Sequence, residues 1–141
     1  MACSRREFTF LLPGLVATPL QTAADKKGGM GTKAFRFEDL QARESGPIRI
    51  YQIFTGATHT GFMLDMHESE LAAGQVPHSP HRHAHEELVL MREGTLEVTI
   101  AGKMTELGPG SGVYVASNED HGYRNSGTVP AKYFVLALGQ D

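Results

Sequence analysis

The feature that most restricts the fold is a two-residue alternation of apolar and polar side chains, repeated in short segments and broken each time by glycine. In "TLEVTI", Leu96, Val98 and Ile100 share one face while Glu97 and Thr99 share the other, the pattern of a strand with one side buried. "ELVLMR" before it and "KMTEL" after it are joined to it through "EG" and "AG", glycine breaks that suit hairpin turns. "LGPGSG" makes a longer turn ahead of "VYVA", and "SGTV" separates "HGYRN" from "AKYFVLALG". "IRIYQIF" and "GFMLDMH" are two earlier strands. From Ala34 to Gln140 no window sustains a helical period, so the reading is an all-β sandwich or barrel. With 141 residues, 40% of them hydrophobic, and a formal charge of -3, the chain suits one globular domain rather than a disordered one. Its 13 basic and 16 acidic residues are interspersed without a basic run, which leaves nucleic acid no electrostatic foothold.

The N-terminus departs from this pattern. "SRREFTFLLPGLVATPLQTAAD" sets paired arginines ahead of an apolar run from Phe8 to Leu20 and ends in the small residues Thr22, Ala23 and Ala24, the layout of an export signal. It resembles the bacterial twin-arginine signal at Ser4, Arg5, Arg6 and Phe8, while Thr9 and Phe10 stand where that pattern prefers leucine and lysine. An ordinary secretory signal is the alternative; a retained anchor is disfavoured because Pro13, Gly14 and Pro19 break a run already short for spanning a bilayer. The expected organisation is a signal over residues 1–24, a polar, glycine-rich flexible linker over 25–33 and the β domain over 34–141, delivered to the periplasm without a stable membrane anchor. The only cysteine, Cys3, lies in the signal, so the mature domain has neither thiol nor disulfide.

"PHSPHRHAHEELVLMREG", residues 77–94, holds four of the seven histidines. In an extended strand His81, His83, His85 and Glu87 would share one face. Imidazoles crowded together repel one another when protonated and lose solvation when buried, so a shared cation explains them better than a solvated loop does. The same alternation in "GFMLDMHESEL" places Phe62, Leu64 and Met66 on one side and Asp65 and His67 on the other, so His67 is expected to face outward. His59 and His78 read as solvated loop residues, with His78 near the mouth of the cluster.

These residues carry a resemblance to the cupin superfamily. Its first motif continues from His-x-His through three or four residues to Glu and six more to Gly, matched by His81, His83, Glu87 and Gly94; Gly74 lies one residue farther upstream than the pattern asks. The second motif ends Pro-x-Gly-x-x-His-x-x-x-Asn, matched by His121 and Asn125, with Ala116 and Asn118 in place of the proline and glycine. The resemblance implies a single cupin barrel of the double-stranded β-helix, or jelly-roll, type. It further implies that His81, His83, Glu87 and His121 bind one divalent metal, with Asn125 at a turn or strand end; His85 falls among the spacers, where a role supporting the ligands or walling the pocket is favoured and ligation is the alternative.

Three imidazoles and a carboxylate leave a six-coordinate Mn(II) or Fe(II) two open positions, and Zn, Ni or Cu are the other options. Mn or Fe is favoured because a protein exported already folded would lock in a weaker-binding metal before reaching a copper-accessible compartment. The expected activity is an oxygen-using or oxalate-like oxidation of a small molecule. A non-catalytic binding module for a small carboxylate or sugar acid, and a metal-dependent isomerase or lyase, are the alternatives. Glu86, Glu119 and Asp120 are weak candidates for a general acid or base. Phe54, Met91, Tyr114, Tyr123 and Phe134 are candidate pocket walls, with barrel packing the simpler role for all five. "ELVL" and "YFVLAL" are apolar at consecutive positions, which suggests strands covered on both faces, as in a homodimer.

Overall fold

A computed structural model describes residues 29–139. The segment read as an export signal and the first part of the linker lie outside the described residues. A single 3-10 turn (Phe37–Asp39) precedes β1 (Ala42–Ser45), β2 (Ile48–Ala57), β3 (Met63–Leu71), β4 (Glu86–Glu93), β5 (Leu96–Ile100), β6 (Lys103–Leu107), β7 (Gly112–Val115), β8 (His121–Arg124) and β9 (Ala131–Leu138). All named pairings are antiparallel, and they build a six-stranded sheet in the order β1-β2-β3-β9-β4-β7 facing a three-stranded sheet β6-β5-β8. This is the single jelly-roll barrel that the alternation and the motifs implied. Among the described residues no helix is long and apolar enough to cross a membrane.

The inner faces follow from the two-residue period. Leu96 and Val98 of β5 meet Leu71, Val89, Ala131 and Tyr133 of the larger sheet, all essentially inaccessible to water. Each such Leu or Val contributes about 1.5–3 kcal/mol relative to an exposed position. Gly94 closes the turn between β4 and β5 at φ +76, where an added Cβ would lie 2.7 Å from the Pro130 carbonyl oxygen. Only glycine meets both demands.

The outer face of the large sheet is also partly apolar. Leu88 pairs with Leu136 and Tyr114, and Leu90 pairs with Phe134, so the consecutive apolar residues of β4 and β9 divide between the core and an exterior stripe. The N-terminal segment covers another part of that exterior: Phe37 packs on Tyr51 at 4.9 Å and Phe35 on Phe54 at 5.5 Å. Arg92 lies over the Phe37 ring and reaches Glu68 at 2.7 Å. Glu68 has the outward parity of β3 yet is fully buried, and burial pushes its carboxyl pKa up against the opposing pull of Arg92. Met30, in the stretch read as a linker, donates its N–H to the Ala57 carbonyl at 2.7 Å. β1 leaves no period in the sequence, because its residues Ala-Arg-Glu-Ser are all exposed and show no alternation.

Candidate metal centre

The loop of residues 72–85 carries the histidine-rich segment from β3 to β4. Its path is set by main-chain bonds: His81 and His121 exchange both of theirs, at 3.0 and 3.1 Å, and Asn118 N–H donates to the His83 carbonyl at 2.8 Å. Asn118 stands at φ +61. That left-handed conformation explains why the family pattern has glycine here, and asparagine is the side chain that tolerates it best. The first motif is thereby pinned against the start of β8, with ring centroids 4.8 Å apart for His81 and His121 and 4.7 Å apart for His83 and His121.

Each deep imidazole is oriented through its Nδ1. His83 Nδ1 lies 2.8 Å from the His85 carbonyl oxygen and His121 Nδ1 lies 3.0 Å from that of Glu119. A carbonyl only accepts, so both Nδ1 atoms carry a proton, and in the neutral rings both Nε2 atoms are lone pairs. These Nε2 atoms are buried and have no hydrogen-bond partner. The Glu87 carboxylate lies close to both, 3.5 Å from His83 Nε2 and 4.0 Å from His121 Nε2. Its Oε1 accepts a 2.5 Å hydrogen bond from the buried Tyr123 hydroxyl. Burial, reinforced by the Glu87 charge, pushes the Tyr123 pKa far up, which keeps the phenol a donor.

His81 completes the group from the more exposed side. Burial, followed by the neighbouring imidazoles of His78, His121 and His83, lowers its pKa, with Glu87 opposing, so it favours the neutral form that binds metal. Two overlapping triads, His81–His83–His121 and His83–His85–Glu87, each bring their ligand atoms within 4.8 Å of one another. Unpaired buried nitrogens are costly in a protein, and a cation between imidazole lone pairs and a carboxylate removes that cost, so the residues fit a metal. The His/Glu cluster is able to hold a metal ion. His85 stacks on His83 with centroids 3.6 Å apart and planes 9° apart, which makes it a wall of the centre besides a member of the second triad. His78 packs edge-on against His81 at 4.4 Å, while His59 is exposed on the surface.

A cavity of about 530 Å³ opens beside Glu87 and His85, walled by Leu64, Val135 and Ala137. A second, of about 360 Å³, includes Tyr123 and Tyr133 and shares Glu87, Val135 and His67 with the first. His67 therefore faces inward, contrary to the expectation from sequence. Along β3 the inner parity is Asp65, His67, Ser69 and Leu71, and the outward Met66 sits opposite Phe54 on the apolar exterior. Apolar side chains on the outside of this sheet reverse the reading that alternation alone gives.

The other expectations divide by face. Tyr123 lines a cavity and Met91 belongs to the core. Phe54 packs with Phe35 and Lys33 at the N-terminal segment, Phe134 pairs outward with Leu90, and Tyr114 is half exposed. Glu86 is exposed and bonds Tyr114, Asp120 faces Arg82 at 3.5 Å, and Glu119 serves the centre through its carbonyl rather than its carboxylate. None of these three acids is among the residues that wall the two cavities. Asn125 is fully buried and ties Leu71 and Val129 carbonyls to the Gly127 N–H.

Solved structures with the same fold include KdgF from Halomonas sp. (17% identity, TM-score 0.68, covering 77% of this chain and 96% of that one). A predicted oxalate decarboxylase from Thermotoga maritima matches at 13% identity and TM-score 0.67, over 77% of this chain and 100% of the other. The cupin domain of an XRE family transcriptional regulator from Enterobacter cloacae matches at 28% identity and TM-score 0.57, over 67% of this chain and 98% of that one. No match was found among curated protein sequences. Residues 67–137, which span both motifs and every residue of the histidine and glutamate cluster, match the cupin domain family, and the chain belongs to it.

Proposed function

We propose that the protein is a small-molecule metalloenzyme, an oxygen-using or oxalate-like oxidoreductase, in which His81, His83, Glu87 and His121 hold one Mn(II) or Fe(II). The observation that carries this reading is the pair of buried, bare Nε2 atoms on His83 and His121 beside the Glu87 carboxylate. Such an ion supplies Lewis acidity toward a substrate oxygen at its open positions. The chain's own residues do the rest: the His85 and Glu119 carbonyls fix the imidazole tautomers, Tyr123 holds Glu87, and Leu64, Val135 and Ala137 shield the body of a small substrate from water. The Thermotoga neighbour, described as a predicted oxalate decarboxylase, supports a small acid as substrate.

A binding module for a small carboxylate or sugar acid is the second reading, favoured by one observation: Glu86, Glu119 and Asp120 place no carboxylate in the cavity walls. The regulator domain from Enterobacter cloacae is in line with it. Elemental analysis of natively produced wild type, His83→Ala and His121→Ala, followed by oxygen uptake with small carboxylates and phenols, separates these readings. About one equivalent of manganese or iron, lost in both variants, together with turnover that vanishes in His121→Ala, is the expected result. Wild type without metal, or variants that keep it, refutes the centre; ligand binding without turnover favours the module.

The proposal includes export to the periplasm through the twin-arginine-like residues 1–24 and assembly as a homodimer through the outer stripe around Leu88, Leu90 and Tyr114. Arg5→Lys with Arg6→Lys should leave the protein in the cytoplasmic fraction, and Leu90→Glu should halve the mass in solution. Normal export, or a wild-type mass that is monomeric at every concentration, removes the respective part.

A further inference from the structure

We propose that His67, held by Asp65 and Gln52, is a subsite for a substrate hydroxyl on the β3 wall of the cavity, opposite the metal side. The inference rests on the metal-centre reading and narrows its substrate class.

The register of the sheet gives the layout. Asp65 pairs with Ala137 and Ala137 with Glu87, so the three form one row across β3, β9 and β4. His67 stands in the next inward row, with Val135 and Val89. Strands two apart are separated by about 10 Å, so inward side chains from β3 and β4 leave room for one small ring or short chain between them. His67 and Glu87 accordingly line both cavities.

Hydrogen bonding fixes the chemistry that His67 offers. Gln52 Nε2 donates to Asp65 Oδ2 at 2.9 Å, which locks the carboxylate, and Asp65 Oδ1 lies 3.1 Å from His67 Nδ1. With the Asp65 carboxylate as acceptor, Nδ1 carries the proton, and in the neutral ring Nε2 is an acceptor. No hydrogen-bond partner for Nε2 is found among the described residues, and with the side chain 21% exposed on the cavity wall that atom is open to a molecule entering the cavity.

A lone pair backed by a carboxylate welcomes a hydroxyl and disfavours a second anion. The structure thereby points to a substrate that meets the metal side at one end and carries a hydroxyl at its far end, which within the proposed function favours the oxygen-using activity over the oxalate-like one. Across two strands, a meta or para placement of that hydroxyl suits the span better than an ortho one.

The test has two parts. Nitrogen-15 correlation spectra of the metal-free protein should show His67 as the Nδ1–H tautomer, becoming mixed in Asp65→Asn; an Nε2–H tautomer in wild type overturns the assignment. Calorimetric titration of metal-loaded protein with 3- and 4-hydroxybenzoate against benzoate should show a preference of about tenfold for the hydroxylated probes. His67→Phe and Asp65→Asn should reduce that preference to below about threefold while each keeps about one equivalent of metal. Equal affinities in wild type, or a preference that survives both variants, overturns the subsite. Failure of wild type to take up metal is read directly from stoichiometry and overturns the centre on which the layout depends, whereas full occupancy without hydroxyl preference overturns the subsite alone.

Discussion

Tyr123→Phe isolates one contact at the centre. The substitution keeps the ring, which packs edge-on against His121 at 5.5 Å and lies 6.5 Å from Tyr133, and removes only the hydroxyl that donates to Glu87 Oε1 at 2.5 Å. A hydrogen bond to a charged group contributes about 1.5–3 kcal/mol. At 1.36 kcal/mol per decade, that corresponds to roughly ten- to 150-fold in an equilibrium constant. Loss of groups that orient metal ligands typically costs 10- to 100-fold in affinity, the same range from independent evidence. The expected outcome is metal binding weakened about 10- to 100-fold, measured by competition with a chelator at fixed pH. Tyr133→Phe is the control, because Tyr133 is equally buried but its hydroxyl is engaged by Ser69 on β3. Urea unfolding of both metal-free variants separates loss of affinity from loss of fold. An affinity for Tyr123→Phe within about twofold of wild type, with the fold intact, would refute the claim that this hydroxyl positions Glu87 for a metal.

Other perturbations address the frame. Gly94→Ala must place a Cβ 2.7 Å from the Pro130 oxygen at φ +76, and should cost about 2–4 kcal/mol in urea unfolding; a loss below about 0.5 would show that the turn relaxes freely. Asn125→Ala strips hydrogen bonds from the Leu71 and Val129 carbonyls and the Gly127 N–H, with an expected loss of about 2–4 kcal/mol in the same assay; an unchanged midpoint would contradict the structural role. Burial raises the Glu68 pKa above its ordinary 4.5, so folded chain holds that proton more tightly than unfolded chain, and the contribution is full below 4.5 and lost as pH rises through the folded value. Wild type should therefore lose stability relative to Glu68→Gln as pH rises above about 4.5, and a difference independent of pH would refute the assignment.

Sequence was most informative where a short period or a fixed spacing carries the physics. The alternation of Leu96, Val98 and Ile100 is enough to assign the inner face of β5, because a strand turns its side chains by half a revolution per residue. The spacing of His81, His83, Glu87 and His121 is enough to nominate a metal centre. It misleads at β3, where alternation puts Met66 on the core side and His67 at the surface, and the structure has them the other way round. Alternation says which residues share a face but not which face is inside, and the apolar exterior of the large sheet inverts the usual answer.

Sequence by itself thus determined an all-β sandwich or barrel and a histidine and glutamate cluster suited to a cation, since alternation, spacing and turn chemistry are sufficient for both; the jelly-roll type was implied by the resemblance to cupins. Only the tertiary structure decided that the His85 and Glu119 carbonyls set the imidazole tautomers, that Tyr123 holds Glu87, and that Asp65 and Gln52 orient His67 into the cavity. Apart from the Asp65–His67 pair, which lies within β3, those contacts join separate strands or a backbone atom to a ring, and neither main-chain oxygens nor strand register leave a mark on residue type.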